Sequence, residues 1–274
     1  MVERCRCQSW LLPLLPLLML LLPDLAVAEP SCGQLTATGN PEYPPYLWRD
    51  PGNPEQLIGA NADLLKDVGK ALGLEVKVVY GGPWSRAQEE VRTGRIDLMA
   101  GYFMTGERQQ RMDFISPPFL RTRSVVWVRR DGAFTYQGWA DLKGRNGGTL
   151  VGNSHGQQFD DYARTNLQLE AVPSARQAFE KLLLKRNDYL IYEQYPGMAL
   201  ARTQGWDTQL KLLEPPVSSE GLYLALSHQS ECNRPELRER LAQAMKALVA
   251  GPVPEQLVEK NLELWRQQQA VGQP

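Results

Sequence analysis

Residues Arg95–Ser116 read RIDLMAGYFMTGERQQRMDFIS, and this stretch decides the fold class. Its apolar run Ile96–Met99 has the composition of a buried strand. The strand leads into a turn marked by Gly101 and Thr105, and Arg108 follows shortly after. A cation just beyond the carboxyl end of a strand lies where an open α/β sheet forms its ligand crevice. The guanidinium of Arg108 offers paired donors to a carboxylate, so the stretch predicts a site for a small anionic or zwitterionic solute.

The sequence on either side alternates between strand and helix patterns, which predicts an α/β protein. Predicted strands lie at residues 35–38, 76–80, 124–128, 149–152, 188–192 and 222–226. Predicted helices lie at residues 62–72, 85–93, 157–165, 175–185, 235–250 and 255–267. We expect Asn61 and Ser174 to cap the starts of their helices and Gly73 to end the first helix. Residues 40–54 are rich in Pro and Gly and are expected to form a loop.

Two chain crossings, at residues 122–130 and 215–216, are expected to join two lobes. Each lobe carries an Arg-x-Asp corner between a helix and an apolar strand, at Arg95–Asp97 and at Arg186–Asp188. Two α/β lobes joined by two crossings predict a hinged shell with the ligand cleft between them. The predicted boundaries are a signal peptide at 1–28, lobe one at 29–121 and 218–274, and lobe two at 122–217.

The first 28 residues have the pattern of a cleaved secretory signal. Arg4 and Arg6 precede an apolar run of 14 residues, Trp10–Pro23, and small residues follow at 26–28. The run is shorter than the roughly 20 residues that span a bilayer. An uncleaved anchor stays open as an alternative, and so does a lipid-anchored form, because Cys32 follows closely. The pattern predicts export to the periplasm.

The bulk composition excludes several classes of function. A net charge of −1 with dispersed Lys and Arg argues against nucleic-acid binding. His155 and His228 are the only histidines and no cysteines cluster, so neither a metal site nor a cofactor is expected. Two cysteines, Cys32 and Cys232, follow the signal, and export to an oxidising compartment favours a disulfide between them over two unpaired thiols.

Four local groups are candidates for the cleft. Tyr43 lies in a proline-stiffened loop after the first strand, and Trp84 follows the second strand. Arg108 is the third candidate. The fourth is the Ser154–Gly156 turn together with Glu193, which follows a strand and could pair with an ammonium group. Tyr43 and Trp84 as core aromatics, and Arg108 as a solvated charge, remain the alternatives.

Several short motifs, in this order and spacing, are shared with one protein family. They are the Tyr43–Tyr46 loop YPPY, LIGANADLL at 57–65, GRID at 94–97, TGER at 105–108, FISPP at 114–118 and the strand at 188–193. Through them the chain resembles extracytoplasmic solute-binding proteins of the polar amino acid family, the receptors of ATP-driven ABC importers. The resemblance covers nearly all of the chain after residue 28. It implies a two-lobed periplasmic-binding-protein fold of type II, a monomer, and permease subunits as membrane partners.

The resemblance also implies roles for single residues. Arg108 matches the arginine that holds the ligand α-carboxylate, and Glu193 falls where an acidic residue receives the α-amino group. Tyr43 and Trp84 fall where aromatic rings enclose the ligand side chain.

The chain departs from the family pattern at two places. Tyr102 and Phe103 occupy positions where many members have small hydroxyl residues, and His155 and Gly156 replace hydroxyl residues in the second turn. These changes remove hydrogen-bond donors and predict a more aromatic pocket, and they leave the ligand class open.

Three functions are compatible with this pattern. The first is a receptor without chemistry. The second is an enzyme resembling the cyclohexadienyl dehydratases, with Glu193 or Asp160 as a general acid. The third is a ligand-binding partner of a membrane sensor.

Overall fold

The structure is a computed structural model of the 274-residue chain, and it describes residues 1–2 and 32–271. Residues 3–31 and 272–274 lie outside the described part. The predicted secretory signal falls almost entirely among them, so its cleavage stays a prediction.

The described residues form strands and α-helices in alternation. The strands are β1 (Gln34–Thr38), β2 (Glu42–Tyr43), β3 (Leu47–Arg49), β4 (Leu57–Ile58), β5 (Glu75–Val78), β6 (Leu98–Tyr102), β7 (Met112–Arg129), β8 (Asn146–Leu150), β9 (Gln168–Val172), β10 (Tyr189–Glu193) and β11 (Leu210–Ser227). The helices are α1 (Ala60–Leu72), α2 (Trp84–Arg92), α3 (Gly106–Gln109), α4 (Gln157–Asn166), α5 (Ala175–Leu183), α6 (Gln194–Thr203), α7 (Pro235–Val249) and α8 (Val253–Val271).

An eight-stranded sheet runs through the molecule in the order β5-β1-β6-β11-β7-β10-β8-β9. β1 pairs in parallel with β5 and β6, and β8 pairs in parallel with β9 and β10. In the centre, β11 and β7 pair antiparallel with each other. On their outer sides, β11 pairs antiparallel with β6, and β7 pairs antiparallel with β10. We call the half with β1, β5 and β6 lobe one, and the half with β8, β9 and β10 lobe two. The predicted α/β class is confirmed.

The two central strands connect the lobes. β7 and β11 are each 18 residues long and pair with each other; β11 also pairs with β6 of lobe one, and β7 also pairs with β10 of lobe two. Both predicted lobe boundaries, at 121/122 and 217/218, fall inside these strands. Their pairing is irregular between Leu213 and Ser218 and again between Leu222 and Leu224.

Each lobe buries its own apolar core. In lobe one, Leu35, Leu64 and Leu98 pack in one buried cluster. In lobe two, Phe179 and Leu190 belong to a separate buried cluster. Because each lobe has its own core, each can hold its share of a binding site rigidly.

An aspartate at the start of one strand ties each lobe's sheet together. Asp97 accepts hydrogen bonds from the Thr36 backbone N–H at 2.8 Å and from its hydroxyl at 2.7 Å. Asp188 accepts one from the Asn146 backbone N–H at 2.8 Å. The Arg-x-Asp corner found twice in the sequence thus has the same structural use in both lobes.

Some local predictions hold and others are wrong. Ser174 caps α5 as predicted, since its hydroxyl accepts a hydrogen bond from the Gln177 N–H at 3.3 Å. Asn61 does not cap α1; it is buried within the first turn and its amide donates to the Ala100 carbonyl at 2.9 Å. That amide leaves no space for a Cβ at position 101, where Gly101 has a φ of 97°. The stretch predicted as a loop at 40–54 contains β2 and β3, which pair with each other, and β3 also pairs with β4 in a small three-stranded sheet.

A disulfide joins Cys32 and Cys232, as predicted, and closes a sequence separation of 200 residues within lobe one. In the described part of the chain, no helix has both the length and the apolar content needed to cross a membrane.

Candidate functional site

Residues near the carboxyl ends of strands from both lobes line one cavity. Lobe one and the central strand β11 contribute Asn40, Tyr43, Leu47, Trp84, Ala100, Gly101, Tyr102, Phe103, Arg108 and Leu222. Lobe two contributes Asn153 and Glu193.

Arg108 reaches the cavity from the short helix α3. The Thr105 hydroxyl accepts a hydrogen bond from the Arg108 backbone N–H at 3.3 Å and so caps this helix. The guanidinium lies 3.7 Å above the centre of the Tyr102 ring and donates to the Phe103 carbonyl at 2.9 Å. It also donates to the Gly152 carbonyl of lobe two at 3.2 Å, so it bridges the lobes. Burial lowers the pKa of Arg108, and the guanidinium keeps its positive charge because its ordinary pKa is so high.

Glu193 faces Arg108 from the other lobe, at the carboxyl end of β10. Its side chain is only 2% exposed. One oxygen, Oε1, accepts a hydrogen bond from the Asn153 amide at 3.3 Å, whereas Oε2 has no partner among the described residues. Burial raises the pKa of Glu193 to about 7, although its own backbone N–H, the Asn153 amide and the charge of Arg108 act in the opposite direction. A ligand that supplies a donor to Oε2 would satisfy this carboxylate.

Aromatic rings form much of the cavity wall. Tyr43, Trp84, Tyr102 and Phe103 are all buried and all line the cavity. Trp84 lies edge-on to Tyr102 with the ring centres 5.7 Å apart. The Tyr102 hydroxyl donates to Gln88 at 2.6 Å, which turns this polar group toward α2. The wall is therefore aromatic, as expected from Tyr102 and Phe103 replacing small hydroxyl residues.

The turn at Ser154 lies beside the cavity rather than on its wall. Ser154 and Asp160 line an adjoining opening together with Arg108. The Ser154 hydroxyl donates to the Asp160 carboxylate, and that carboxylate also accepts from the His155 N–H at 2.9 Å. The Gly156 N–H donates to the Ser154 hydroxyl at 3.1 Å. The N–H groups of His155 and Gly156, which lie in the turn expected to bind an anion, thus already donate to side chains of the protein.

The structure does not place His155 on the cavity wall. The imidazole is 2% exposed and lies inside lobe two. Its Nε2 is 2.9 Å from the Thr149 hydroxyl and its Nδ1 is 3.2 Å from the Ser124 hydroxyl. Burial, with a smaller effect of Arg108, lowers the pKa of His155 to about 3, so the ring is neutral. This position differs from the sequence expectation, since both ring nitrogens already have hydroxyl partners.

Sequence reasoning missed two polar residues of the cavity. Asn40 follows β1 and Asn153 follows β8, and both line the wall. The sequence did indicate them, because both residues come just after the carboxyl end of a parallel strand, as Arg108 does. Among the described residues, no group of three or more His, Cys, Asp and Glu side chains could hold a metal ion.

Hydrogen bonds close the lobes onto each other around the cavity. The Gly106 N–H donates to the Gln157 side chain at 2.9 Å. On the other side, Glu42 accepts from the Ala175 N–H at the start of α5 at 3.1 Å, and its carbonyl accepts from the Tyr192 hydroxyl at 3.1 Å. The structure is a closed form of the shell.

Comparison with solved structures identifies the same fold. An amino acid ABC transporter substrate-binding protein, AbpA of Streptococcus pneumoniae, bound to L-arginine, aligns with a TM-score of 0.68 at 20% identity, over 85% of this chain and 96% of that one. A histidine kinase sensor domain with similarity to periplasmic binding proteins aligns with a TM-score of 0.70 at 23% identity, over 84% of this chain and 96% of the other. The predicted two-lobed type II periplasmic-binding-protein fold is confirmed.

Sequence comparison gives the family. The arginine-binding protein ArgT of Corynebacterium glutamicum is 31% identical over 112 residues, which is 39% of this chain. The match spans about a third, 35%, of the length of that curated relative. A model of the bacterial extracellular solute-binding proteins, family 3, matches residues 35–263, and the chain therefore belongs to this family.

Proposed function

We propose that this protein is a receptor that captures a small amino acid, or a related zwitterionic solute, in the interlobe cavity for import by an ABC transporter. Arg108 of lobe one binds the ligand carboxylate, and Glu193 of lobe two binds its ammonium group. The aromatic wall, with Tyr43 and Trp84, encloses the side chain.

One observation carries this proposal: a cation and a buried carboxylate from opposite lobes line the same cavity. The unpartnered Oε2 of Glu193 supports it further, because a buried carboxylate oxygen without a donor is costly and an ammonium group would satisfy it. A ligand that contacts both lobes also favours the closed form over an open one, since it binds only the closed form at both ends.

The relatives support an amino acid as the ligand. AbpA is described as a substrate-binding protein of an amino acid ABC transporter bound to L-arginine, and ArgT as arginine-binding. By analogy, the partners proposed for this chain are the membrane permease subunits of such an importer, with the receptor acting as a monomer.

Membership in an extracellular solute-binding family implies a location outside the cytoplasm. More specifically, we propose the periplasm, reached by cleavage of the signal predicted at residues 1–28. Two Edman cycles on the exported protein would test this: a start at Glu29 supports it, and a start at Met1 contradicts it.

Two alternatives have one supporting observation each. A carboxyl group with a pKa near 7, Glu193, is suited to general acid catalysis, which is what a dehydratase needs. The likeness to a histidine kinase sensor domain favours a signalling role. We propose that the protein is not an enzyme. An absorbance assay with prephenate and arogenate should therefore show no turnover. Measurable turnover that is lost in Glu193→Gln would establish enzyme activity instead.

The experiment that tests receptor function is a thermal-shift screen against amino acids, polyamines and small carboxylates, followed by calorimetry of any hit. Arg108→Ala should abolish ligand-induced stabilisation without unfolding the protein. Arg111→Ala is the matched control, because Arg111 is exposed, lies three residues further along and does not line the cavity. Unchanged affinity in Arg108→Ala would contradict the assignment.

A further inference from the structure

Two buried polar atoms of cavity-lining side chains have no partner among the described residues. They are Oε2 of Glu193, discussed above, and the indole Nε1 of Trp84, whose side chain is 7% exposed. A buried N–H group without an acceptor is unusual, because it gives up its bond to water and gains nothing in return.

Three other tryptophans have acceptors. Trp48 donates to Gln268 at 2.9 Å, Trp127 to the Tyr192 carbonyl at 3.3 Å, and Trp139 to the Val217 carbonyl at 2.9 Å. Among the described residues, Trp84 on the cavity wall is the tryptophan whose buried N–H lacks a partner. This placement indicates that the acceptor for Trp84 comes from a ligand.

The surrounding contacts hold Trp84 in place. It begins helix α2, directly after Pro83, and it packs edge-on against Tyr102. Gln88 binds the Tyr102 hydroxyl and also donates to the Trp84 carbonyl at 3.4 Å, which links the two aromatic residues to one helix turn. An indole held in this way can select a ligand by the position of its N–H group.

The charges of the wall limit the ligand further. Among the described residues that line the cavity, Glu193 is the only carboxylate and Arg108 is the only cation. If these two hold the ammonium and carboxylate ends, as the proposed function requires, no carboxylate of the wall remains for a cationic side chain. Asp160, in the adjoining opening, already accepts hydrogen bonds from the Ser154 hydroxyl and the His155 N–H. A guanidinium or ammonium side chain would then be desolvated without a counter-charge, which is strongly unfavourable.

We propose that Trp84 is a specificity-determining donor, and that the ligand is an amino acid whose uncharged side chain offers a hydrogen-bond acceptor, such as an amide or hydroxyl oxygen. The inference rests on the proposed function. It departs from the ligand of the arginine-binding relatives, since it excludes arginine.

Calorimetry with matched ligand pairs tests this inference. L-glutamine and L-asparagine carry the acceptor, L-norleucine and L-norvaline are their aliphatic counterparts, and L-arginine is the cationic probe. In the unaltered protein, at least one acceptor-bearing ligand should bind roughly 10- to 100-fold more tightly than its aliphatic counterpart. Arginine should bind more weakly than that ligand.

Trp84→Phe removes the N–H group and keeps an aromatic ring. In this variant the advantage of the acceptor-bearing ligand over its aliphatic counterpart should fall to less than about threefold, because each ligand now meets the same apolar ring. Trp139→Phe is the matched control: it removes an indole N–H within lobe two, away from the cavity wall, and should leave the ratio unchanged.

The outcomes separate this inference from the proposed function. If arginine binds most tightly, if the paired ligands bind equally, or if Trp84→Phe keeps their ratio, the inference is wrong while receptor function stands. If no amino acid binds, the proposed function fails with it. Should Trp84→Phe not fold, the ligand pairs in the unaltered protein decide the question, since that comparison needs no variant.

Discussion

Replacing Glu193 by glutamine should stabilise the unliganded protein at pH 8. Above the pKa of the folded state the native protein holds a buried carboxylate, whereas the unfolded chain holds the same group in water. Glutamine has nearly the same shape and carries no charge, so it removes the energetic penalty of burying the ion.

The magnitude follows from the pKa. An ordinary glutamate has a pKa of 4.5, and burial raises that of Glu193 to about 7. At about 1.4 kcal/mol for each pK unit, the ionised group lowers the free energy of unfolding by about 3 kcal/mol. The penalty is absent below about pH 4.5, where both states are protonated, and complete above about pH 7. Between these values the folded state binds more protons than the unfolded state, so stability falls as pH rises.

Chemical denaturation at pH 4.5 and pH 8, followed by circular dichroism, measures this effect. Glu193→Gln should be more stable than the unaltered protein by up to about 3 kcal/mol at pH 8, or roughly 6–12 °C in melting temperature, and nearly equal to it at pH 4.5. Glu259→Gln, at an exposed position on α8, is the matched control and should behave as the unaltered protein at both values. The reasoning is refuted if Glu193→Gln and the unaltered protein lose the same stability between pH 4.5 and pH 8.

Two further predictions concern binding and stability. Affinity for a zwitterionic ligand should rise roughly tenfold from pH 6 to pH 8, because the ligand ammonium requires ionised Glu193. The ionised fraction of a group with a pKa of about 7 rises by that factor over this range. Calorimetry that shows the same affinity at both pH values would contradict this. Replacing Cys32 and Cys232 together by serine should lower the free energy of unfolding by about 5 kcal/mol in the chain-entropy model, since the disulfide closes a loop of 200 residues. Chemical denaturation of both proteins without reductant measures the difference. Equal denaturation midpoints would argue against the model.

The sequence was sufficient to predict the α/β class, the disulfide and the placement of Arg108 and Glu193 near a cleft. Both residues follow apolar strands, and in a parallel arrangement the carboxyl ends of strands meet at one edge. Their roles as ligand contacts stay predictions that the variants above will test.

Other features depend on contacts that a local pattern does not contain. His155 was predicted at the cleft because it lies in a turn before a helix, yet its partners Ser124 and Thr149 come from β7 and β8, which have β10 between them in the sheet. The strands β2 and β4 are two residues long, too short to show an alternation of apolar and polar positions. The missing acceptor of Trp84 is likewise visible only once the whole wall of the cavity is assembled.

The irregular pairing of the central strands gives each connection between the lobes some extra length. From Leu213 to Ser218, β11 advances five residues while its partner β7 moves only two, from Val126 to Ser124. From Leu222 to Leu224 the surplus is reversed, since β11 advances two residues while β7 moves five, from Leu120 to Ile115. Each central strand therefore carries three surplus residues, about 10 Å of extra chain, and the two surpluses lie at different places along the pair. Removing the surplus from either strand would stiffen the connection between the lobes without touching any residue of the binding cavity.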